Sequence, residues 1–415
     1  MYYRQPKYLN DFKCVGGTCT NSCCIGWRID WKEEEINKIK NAPNCSEELR
    51  ELCERSFKYN ETAKRYVVVL GAKMRCPFLT EDNLCRIQRE LGAKYLSYTC
   101  TIYPRDSTRT RSAVYKCCHM SCPEIMMKLL NDDSCMELMT AERKDRIKNV
   151  PFSVNLDSKD AMIKHPERKY SVEIKEFFYE IISDKTLPLE TCIILGALAA
   201  QSLTKLVSER EYDRIPEALK SFRAQMHNAE QLQKIDNIKP NYNVKLGVTD
   251  KLIRKLTKLR TVDTFIDADG KPNIDYYKRA EQLLDKEFED RSFAWRNMAL
   301  NLLLELNTPI KLMDMSIFEN YSVFVMSYVF IRYSTLAVMN HNDRLSGAEK
   351  TVAAANNDNF KLTFKVKIDP EQHLLKYNAT LSRSLCHNDE NLKKLLRELK
   401  DLGITSPAYL ALLVK

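Results

Sequence analysis

The chain is poor in glycine, histidine and tryptophan: its 415 residues hold ten, six and three of them. No Gly-x-Gly-x-x-Gly turn occurs, which argues against a conventional doubly wound domain that cradles a nucleotide at a glycine-rich strand-to-helix turn. A secretory signal is not expected either. The opening MYYRQPKYLNDFKC lacks a basic start followed by an uninterrupted apolar run, so the sequence predicts a cytoplasmic protein. Long hydrophobic runs are absent as well. CIILGALAA (192–200) and SVFVMSYVFI (322–331) fall well short of the ~20 residues that cross a bilayer, and Arg332 closes the second, so no membrane insertion is expected. The net charge of +9 is spread over interspersed charges of both signs. No Lys/Arg tract resembles a nucleic-acid arm, and a protein is at least as good a partner.

What is abundant is cysteine. There are fifteen, thirteen of them before residue 136, with only Cys192 and Cys386 beyond. In a reducing cytoplasm such a cluster points to metal binding or redox chemistry rather than to disulfides. With 44% apolar residues the chain can bury a real core. The composition divides it into a cysteine-rich region over 1–150 and a larger helical domain over 151–415, giving a mainly α fold in which short strands are confined to the N-terminal region.

In the first region the pair Asp30 and Glu33 predicts a capping box for a helix over 31–40, and Ser46 is a candidate cap for a second helix carrying Leu49, Leu52, Cys53 and Phe57. RYVVVL (65–70) and SAVYK (112–116) read as strands, and RIQRELG (86–92) as a helix stopped by its glycine. Beyond residue 150, Ile174, Phe177, Phe178 and Ile181 repeat with helical period, as do Leu392, Leu395, Leu396 and Leu399. Core helices are predicted over 189–208, 275–306 and 310–340, with Pro188 and Pro309 near two of their starts. Polar loops are expected at 236–250 and 340–359, followed by a hairpin strand at 362–368.

The cysteine spacings are Cys14-x4-Cys19-x3-Cys23-Cys24, Cys76-x8-Cys85-x14-Cys100 and Cys117-Cys118-x3-Cys122. Thiolates suit zinc and iron–sulfur clusters, and four complete a structural zinc site or a protein-held cluster. Pro123 sets Cys122 at a helix cap, where free N–H groups favour a thiolate. A turn over Thr80–Asn83 would bring Cys76 and Cys85 to face one ion. Cys53, Cys135, Cys192 and Cys386 read instead as packing residues. Only one of each adjacent pair, such as Cys23 and Cys24, is expected to ligate. His119, between Cys118 and Cys122, is a candidate further ligand.

The blocks KCVGGTCTNSCCIGWRIDW, CPFLTEDNLCRIQRELGAKYLSYTCTIYPR and SCPE resemble the signatures of the flagellin lysine-N-methylase family. That family shares its cysteine pattern with a broader group of zinc- or iron-chelating proteins. The resemblance covers roughly the first 130 residues; beyond them it rests on length and helical character. It implies methyl transfer from S-adenosylmethionine to lysine ε-amines of flagellin, with an iron–sulfur cluster of the 4Fe-4S type. The family's cysteine positions correspond to Cys14, Cys19, Cys23, Cys24, Cys76, Cys85, Cys100 and Cys122, and spacing does not say which four hold a cluster.

The Cys-x3-Cys-x2-Cys loop of radical enzymes that use this donor is absent. A neutral lysine amine is nucleophilic enough for polar displacement once it loses its proton, so both routes stay open. Tyr98, Tyr103 and Arg105 are the accessory candidates: Arg105 would bind a carboxylate or phosphate-like group, while Tyr103 and Pro104 alternatively pack under the cluster. Trp27 and Trp31 would stack on an adenine or form an apolar wall, with the wall preferred. PRDSTRTR (104–111) reads as a charged turn, either solvated or a docking surface for an acidic protein. The rival readings are a zinc-stabilised protein-binding module and a redox or metal-handling protein without methyl transfer.

Overall fold

The computed structural model describes residues 2–27, 29–61, 64–141, 154–257, 265–267, 269–310, 315–347, 367–386 and 389–415. The fold is mainly α. Seventeen α-helices occur among these residues against eight short strands: β1 (Tyr2–Pro6), β2 (Asp30–Trp31), β3 (Phe57–Asn60), β4 (Arg65–Val68), β5 (Arg105–Arg109), β6 (Ala113–Cys118), β7 (Leu138–Ala141) and β8 (Val154–Asn155).

Five strands form one sheet in the order β7-β1-β6-β5-β8. β1 runs parallel to β6, with Tyr2 opposite Ala113, and antiparallel to β7. β5 and β6 form an antiparallel pair from Arg105 opposite Cys118 to Arg109 opposite Val114. β6 is buried along nearly its whole length because helix Phe293–Glu305 packs on it. β5 corrects the turn expected over 104–111. Its inward residues Asp106 and Thr108 are polar, so the segment hides its period-2 pattern from a reading based on apolar residues. Burial is nonetheless satisfied, since Thr108 donates to Asn307 Oδ1.

The smaller sheet, β2-β4-β3, is antiparallel and lies beside helices Glu33–Lys40 and Glu47–Ser56. Ser46 caps the second helix, its Oγ accepting from Leu49 N–H at 3.2 Å. The first helix starts two residues later than predicted because Asp30 and Trp31 pair with β4, and Glu35 Oε2 reaches back to Lys32 N–H at 2.8 Å. Leu49 and Cys53 join Ile39, Trp31, Val68, Phe78 and Ile87 in a small core of their own. The five-stranded sheet shares one continuous core with the helices beyond it.

In that larger core, Ile174, Phe177, Phe178 and Ile181 are buried on helix Ser171–Ser183, as are the four leucines on Asp389–Asp401. Two helices outgrow their apolar strings. Leu189–Ser208 and Ile317–Gly347 are long and apolar enough to cross a bilayer, contrary to the sequence expectation. Here they pack inside the protein, 94% of the most apolar window of the second being buried. The helix predicted over 275–306 is two, Ile274–Glu287 and Phe293–Glu305, separated by a tight turn at Glu289–Arg291. The loop expected over 236–250 is shorter, because Asn241 Oδ1 accepts from Val244 N–H at 3.1 Å at the start of helix Tyr242–Thr257. Helix Ile317–Gly347 likewise runs into the predicted loop at 340–359, and most of the strand expected at 362–368 lies outside the described residues.

Candidate metal centre and its surroundings

Four chain segments carry the thiols, those of Cys76, Cys85 and Cys100 packing against the small core and that of Cys122 in the large one. Cys14 and Cys19 bracket a tight turn at Gly16–Thr18, where Gly16 has φ +61° and its N–H points at Cys14 Sγ, 3.4 Å away. Gly17 allows this turn to press against the next segment: an added Cβ would stand 2.6 Å from the Asp82 carbonyl. Cys23 and Cys24 follow in a loop tied to Cys76, whose N–H donates to Cys24 O at 2.8 Å, with Ile25 bridged to Arg75.

Cys76 and Cys85 flank the expected turn. Leu79 bridges to Cys85, Thr80 N–H donates to Leu84 O at 2.9 Å, and Asn83 takes a left-handed φ of 57°. Cys85 then caps helix Arg86–Leu91, which ends at Gly92 with φ +90°. Cys100 lies on the short helix Tyr98–Ile102, its N–H held by Ser97 Oγ at 3.1 Å. Cys122 caps helix Pro123–Asn131, with Pro123 as its first residue.

The eight predicted cysteines separate into two neighbourhoods. Cys23, Cys76, Cys85 and Cys100 lie within electrostatic range of one another in every pairing. Cys14, Cys19 and Cys122 form the other set, and Cys19 also feels Cys23. Cys24 hydrogen-bonds to Cys23. Burial, then mutual repulsion, pushes the Cys76 thiol up to about 12 and Cys100 likewise to about 12. Burial takes Cys122 up to about 12 against the pull of the Glu124 and Ile125 N–H groups at the helix start. The Cys24 hydrogen bond and burial raise Cys23, opposed by the charge of Arg383. As thiols these groups are protonated at neutral pH, and coordination to a metal reverses that preference.

Among the described residues no set of three or more Cys, His, Asp or Glu side chains is closed tightly enough to hold a metal ion as it stands. In kind and number, however, the donors fit a soft-metal centre. The described cysteines are all free thiols, and Cys76, Cys85 and Cys100 pack around the small core. Cys135 and Cys192 are buried in the large core, Cys192 beside Arg296 and the Asp184 carbonyl, while Cys53 is buried within the small core. The Cys386 side chain lies outside the described residues.

The two thiol neighbourhoods meet at aromatic rings. Trp27 Nε1 donates to Cys23 O at 2.5 Å, and its ring lies 5.3 Å from that of Tyr103. Tyr103 feels both Cys122 and Cys23 and hydrogen-bonds to Ser121 Oγ at 3.0 Å. Trp31 is elsewhere, buried against Phe57 and Phe78. Arg105 is exposed and stacks over Phe12, and Tyr98 N–H donates to Glu35 at 2.9 Å.

A cation that sequence reasoning missed reaches the thiols instead. Arg383, on the π-helical turn Ser382–Cys386, donates through Nη1 to Ile25 O at 2.9 Å and lies over the Trp27 ring. No local signal marks it, because its partner is 358 residues away. Behind Tyr103 stands a buried polar group. His119 stacks on Tyr103 and lies 3.0 Å from Glu305 and 3.7 Å from Asp106, rather than among the thiols. Glu305 also accepts from Met120 N–H at 3.0 Å and Ser382 Oγ at 2.5 Å, so it ties the sheet, the core helix and the Arg383 turn together.

The family model of the FliB lysine N-methylase C-terminal domain matches residues 175–413. A lysine-N-methylase of Salmonella choleraesuis (strain SC-B67) is 23% identical over 372 residues, 84% of this chain and 88% of that protein. The flagellar biosynthetic protein FliU of Salmonella muenchen is 31% identical over 137 residues, 32% of this chain and 80% of that protein. No solved structure matches the chain.

Proposed function

The chain belongs to the FliB lysine N-methylase family, and on that premise we propose that it is a protein lysine N-methyltransferase acting on flagellin in the cytoplasm. In this reading S-adenosylmethionine supplies the methyl group, and Cys23, Cys76, Cys85 and Cys100 hold an iron–sulfur cluster of the 4Fe-4S type. The observation that supports the cofactor is the meeting of these four thiols, drawn from separate segments, next to an aromatic wall and a cation. Bound there, a cluster would supply an electron-transfer or Lewis-acid centre.

The protein's own residues have simpler tasks. Trp27 and Tyr103 keep water from the thiol pocket, which lowers the cost of presenting a neutral amine. A lysine amine with an ordinary pKa of about 10.4 must lose its proton before it attacks. His119 and its two carboxylates lie on the Tyr103 side of the pocket. The partners in this reading are a protein substrate and the methyl donor.

The test begins with protein purified without oxygen and assayed for iron, sulfide and zinc. Iron and sulfide with a broad brown absorption support the cluster, whereas colourless protein with stoichiometric zinc supports the zinc-stabilised binding module. Flagellin is then incubated with the reduced protein and S-adenosylmethionine and analysed by mass spectrometry. Methyl increments on lysine are expected; unmodified flagellin overturns the reading. Release of 5′-deoxyadenosine marks a radical route, and its absence during turnover marks displacement.

A further inference from the structure

Arg383 is held as a half-used fork. One nitrogen, Nη1, is spent on the Ile25 carbonyl, while Nε and Nη2 are buried and no described residue accepts from them. A desolvated guanidinium with two unpaired donors is costly unless something anionic completes it. Its position is enforced from both sides. Ser382, the preceding residue, donates to the fully buried Glu305, and Gly26, with φ +90°, leaves room where an added Cβ would stand 3.4 Å from Nη1. The turn that carries it is π-helical, a local widening that re-aims side chains and recurs at functional sites. The guanidinium lies over Trp27, whose indole donates to the Cys23 carbonyl, so the fork stands beside the Cys23 loop.

A planar fork with adjacent donors matches a carboxylate held by two parallel hydrogen bonds. From this geometry we infer that Arg383 receives the carboxylate of the methyl donor's amino-acid end at the Cys23 loop. The inference rests on the reading that S-adenosylmethionine is that donor. It moves to Arg383 the carboxylate-binding role that the sequence suggested for the exposed Arg105. The other anion available to the fork is the negative charge of a metal–thiolate centre, and the two sources are separable.

The experiment is calorimetric titration of the anaerobic, metal-loaded protein with S-adenosylhomocysteine and with its decarboxylated analogue, repeated for Arg383→Gln and Arg383→Lys. Glutamine keeps an N–H for Ile25 O but loses the charge and the fork. In the unsubstituted protein the decarboxylated ligand is expected to bind about 10- to 100-fold more weakly, the loss typical of a charged hydrogen-bonded pair. Arg383→Gln weakens the carboxylated ligand by a similar factor and leaves the decarboxylated one unchanged, with metal content preserved. Arg383→Lys falls between.

Equal affinity of the unsubstituted protein for both ligands overturns the inference without recourse to any variant. Full discrimination by Arg383→Gln overturns it as well, and if that variant also loses metal, the guanidinium serves the charge of the centre. Failure of the unsubstituted protein to bind the carboxylated ligand at all is a different result, since it defeats the donor assignment itself.

Discussion

The small core beneath the thiols and the large helical core are held together in different ways. The first rests on Trp31, Phe57 and Phe78, with ring centroids 5.3 to 6.5 Å apart, two short helices and isolated bridges that leave loops in control of geometry. A core of this size contributes little free energy alone, and small domains of this kind draw stability from metals or cross-links. The second buries helices of 20 and 31 residues among many apolar neighbours and needs no such help. The difference separates two sources of order. On the proposed reading one region draws its order from a bound metal centre, while the other is ordered by its own packing and serves as the frame. The match to the family's C-terminal domain falls on the frame, residues 175–413, whereas the residues with conspicuous chemistry crowd into the other region.

The comparison breaks most visibly if metal removal affects both regions alike. Cys76→Ser or Cys85→Ser is expected to abolish metal retention, and Cys192→Ser to keep it, measured by elemental analysis of purified protein. Chelation should open residues 14–122 to limited proteolysis while the helical circular dichroism largely persists; simultaneous collapse of the helices would mean that the frame is not self-sufficient. Next in size is a packing defect confined to the frame. Gly196 faces the buried Tyr321, whose hydroxyl donates to Ile193 O at 2.9 Å and would collide with an added Cβ. Gly196→Ala should cost roughly 1–3 kcal/mol in denaturant unfolding without altering metal content.

The frame also carries a pH signature. Burial pushes Lys245 down to about 8, only partly offset by Glu281, with Arg332, Tyr277 and Glu190 also nearby. Between that value and its ordinary 10.5 the unfolded chain holds a proton that the folded chain has released, so stability rises with pH across this interval. Below about pH 8 both states are charged and the penalty is fully present. Lys245→Met should flatten the rise relative to the unsubstituted protein, by no more than about 1.4 kcal/mol per pH unit; parallel curves would refute the assignment. The smallest effect belongs to the metal region. Ser46→Ala removes the cap on Leu49 N–H and a bond to Glu90, and a loss of about 0.5–1 kcal/mol is expected in the thermal unfolding of the metal-loaded protein.

Local chemistry was legible in the sequence where one residue decides the outcome. Ser46 at its helix start, Pro123 setting Cys122 at a cap, Gly92 ending a helix and the turn between Cys76 and Cys85 all emerged from neighbouring residues. Distant decisions did not. β1 pairs in parallel with a strand more than a hundred residues away, and β5 carries polar residues inward because Asn307 of a remote segment receives one of them. The division of the thiols into two neighbourhoods follows from how the loops fold back on one another, which spacing cannot encode. Arg383 was invisible for the same reason, since its contact with the Ile25 carbonyl spans 358 residues.

The reach from Arg383 to Ile25 also puts the steps of assembly in an order. A ribosome releases the cysteine loops long before it releases the arginine that bonds to the Ile25 carbonyl among them. During that interval the Ile25 carbonyl and the Trp27 ring lack their guanidinium partner. The clasp between the two ends of the chain is thus among the last contacts that synthesis permits.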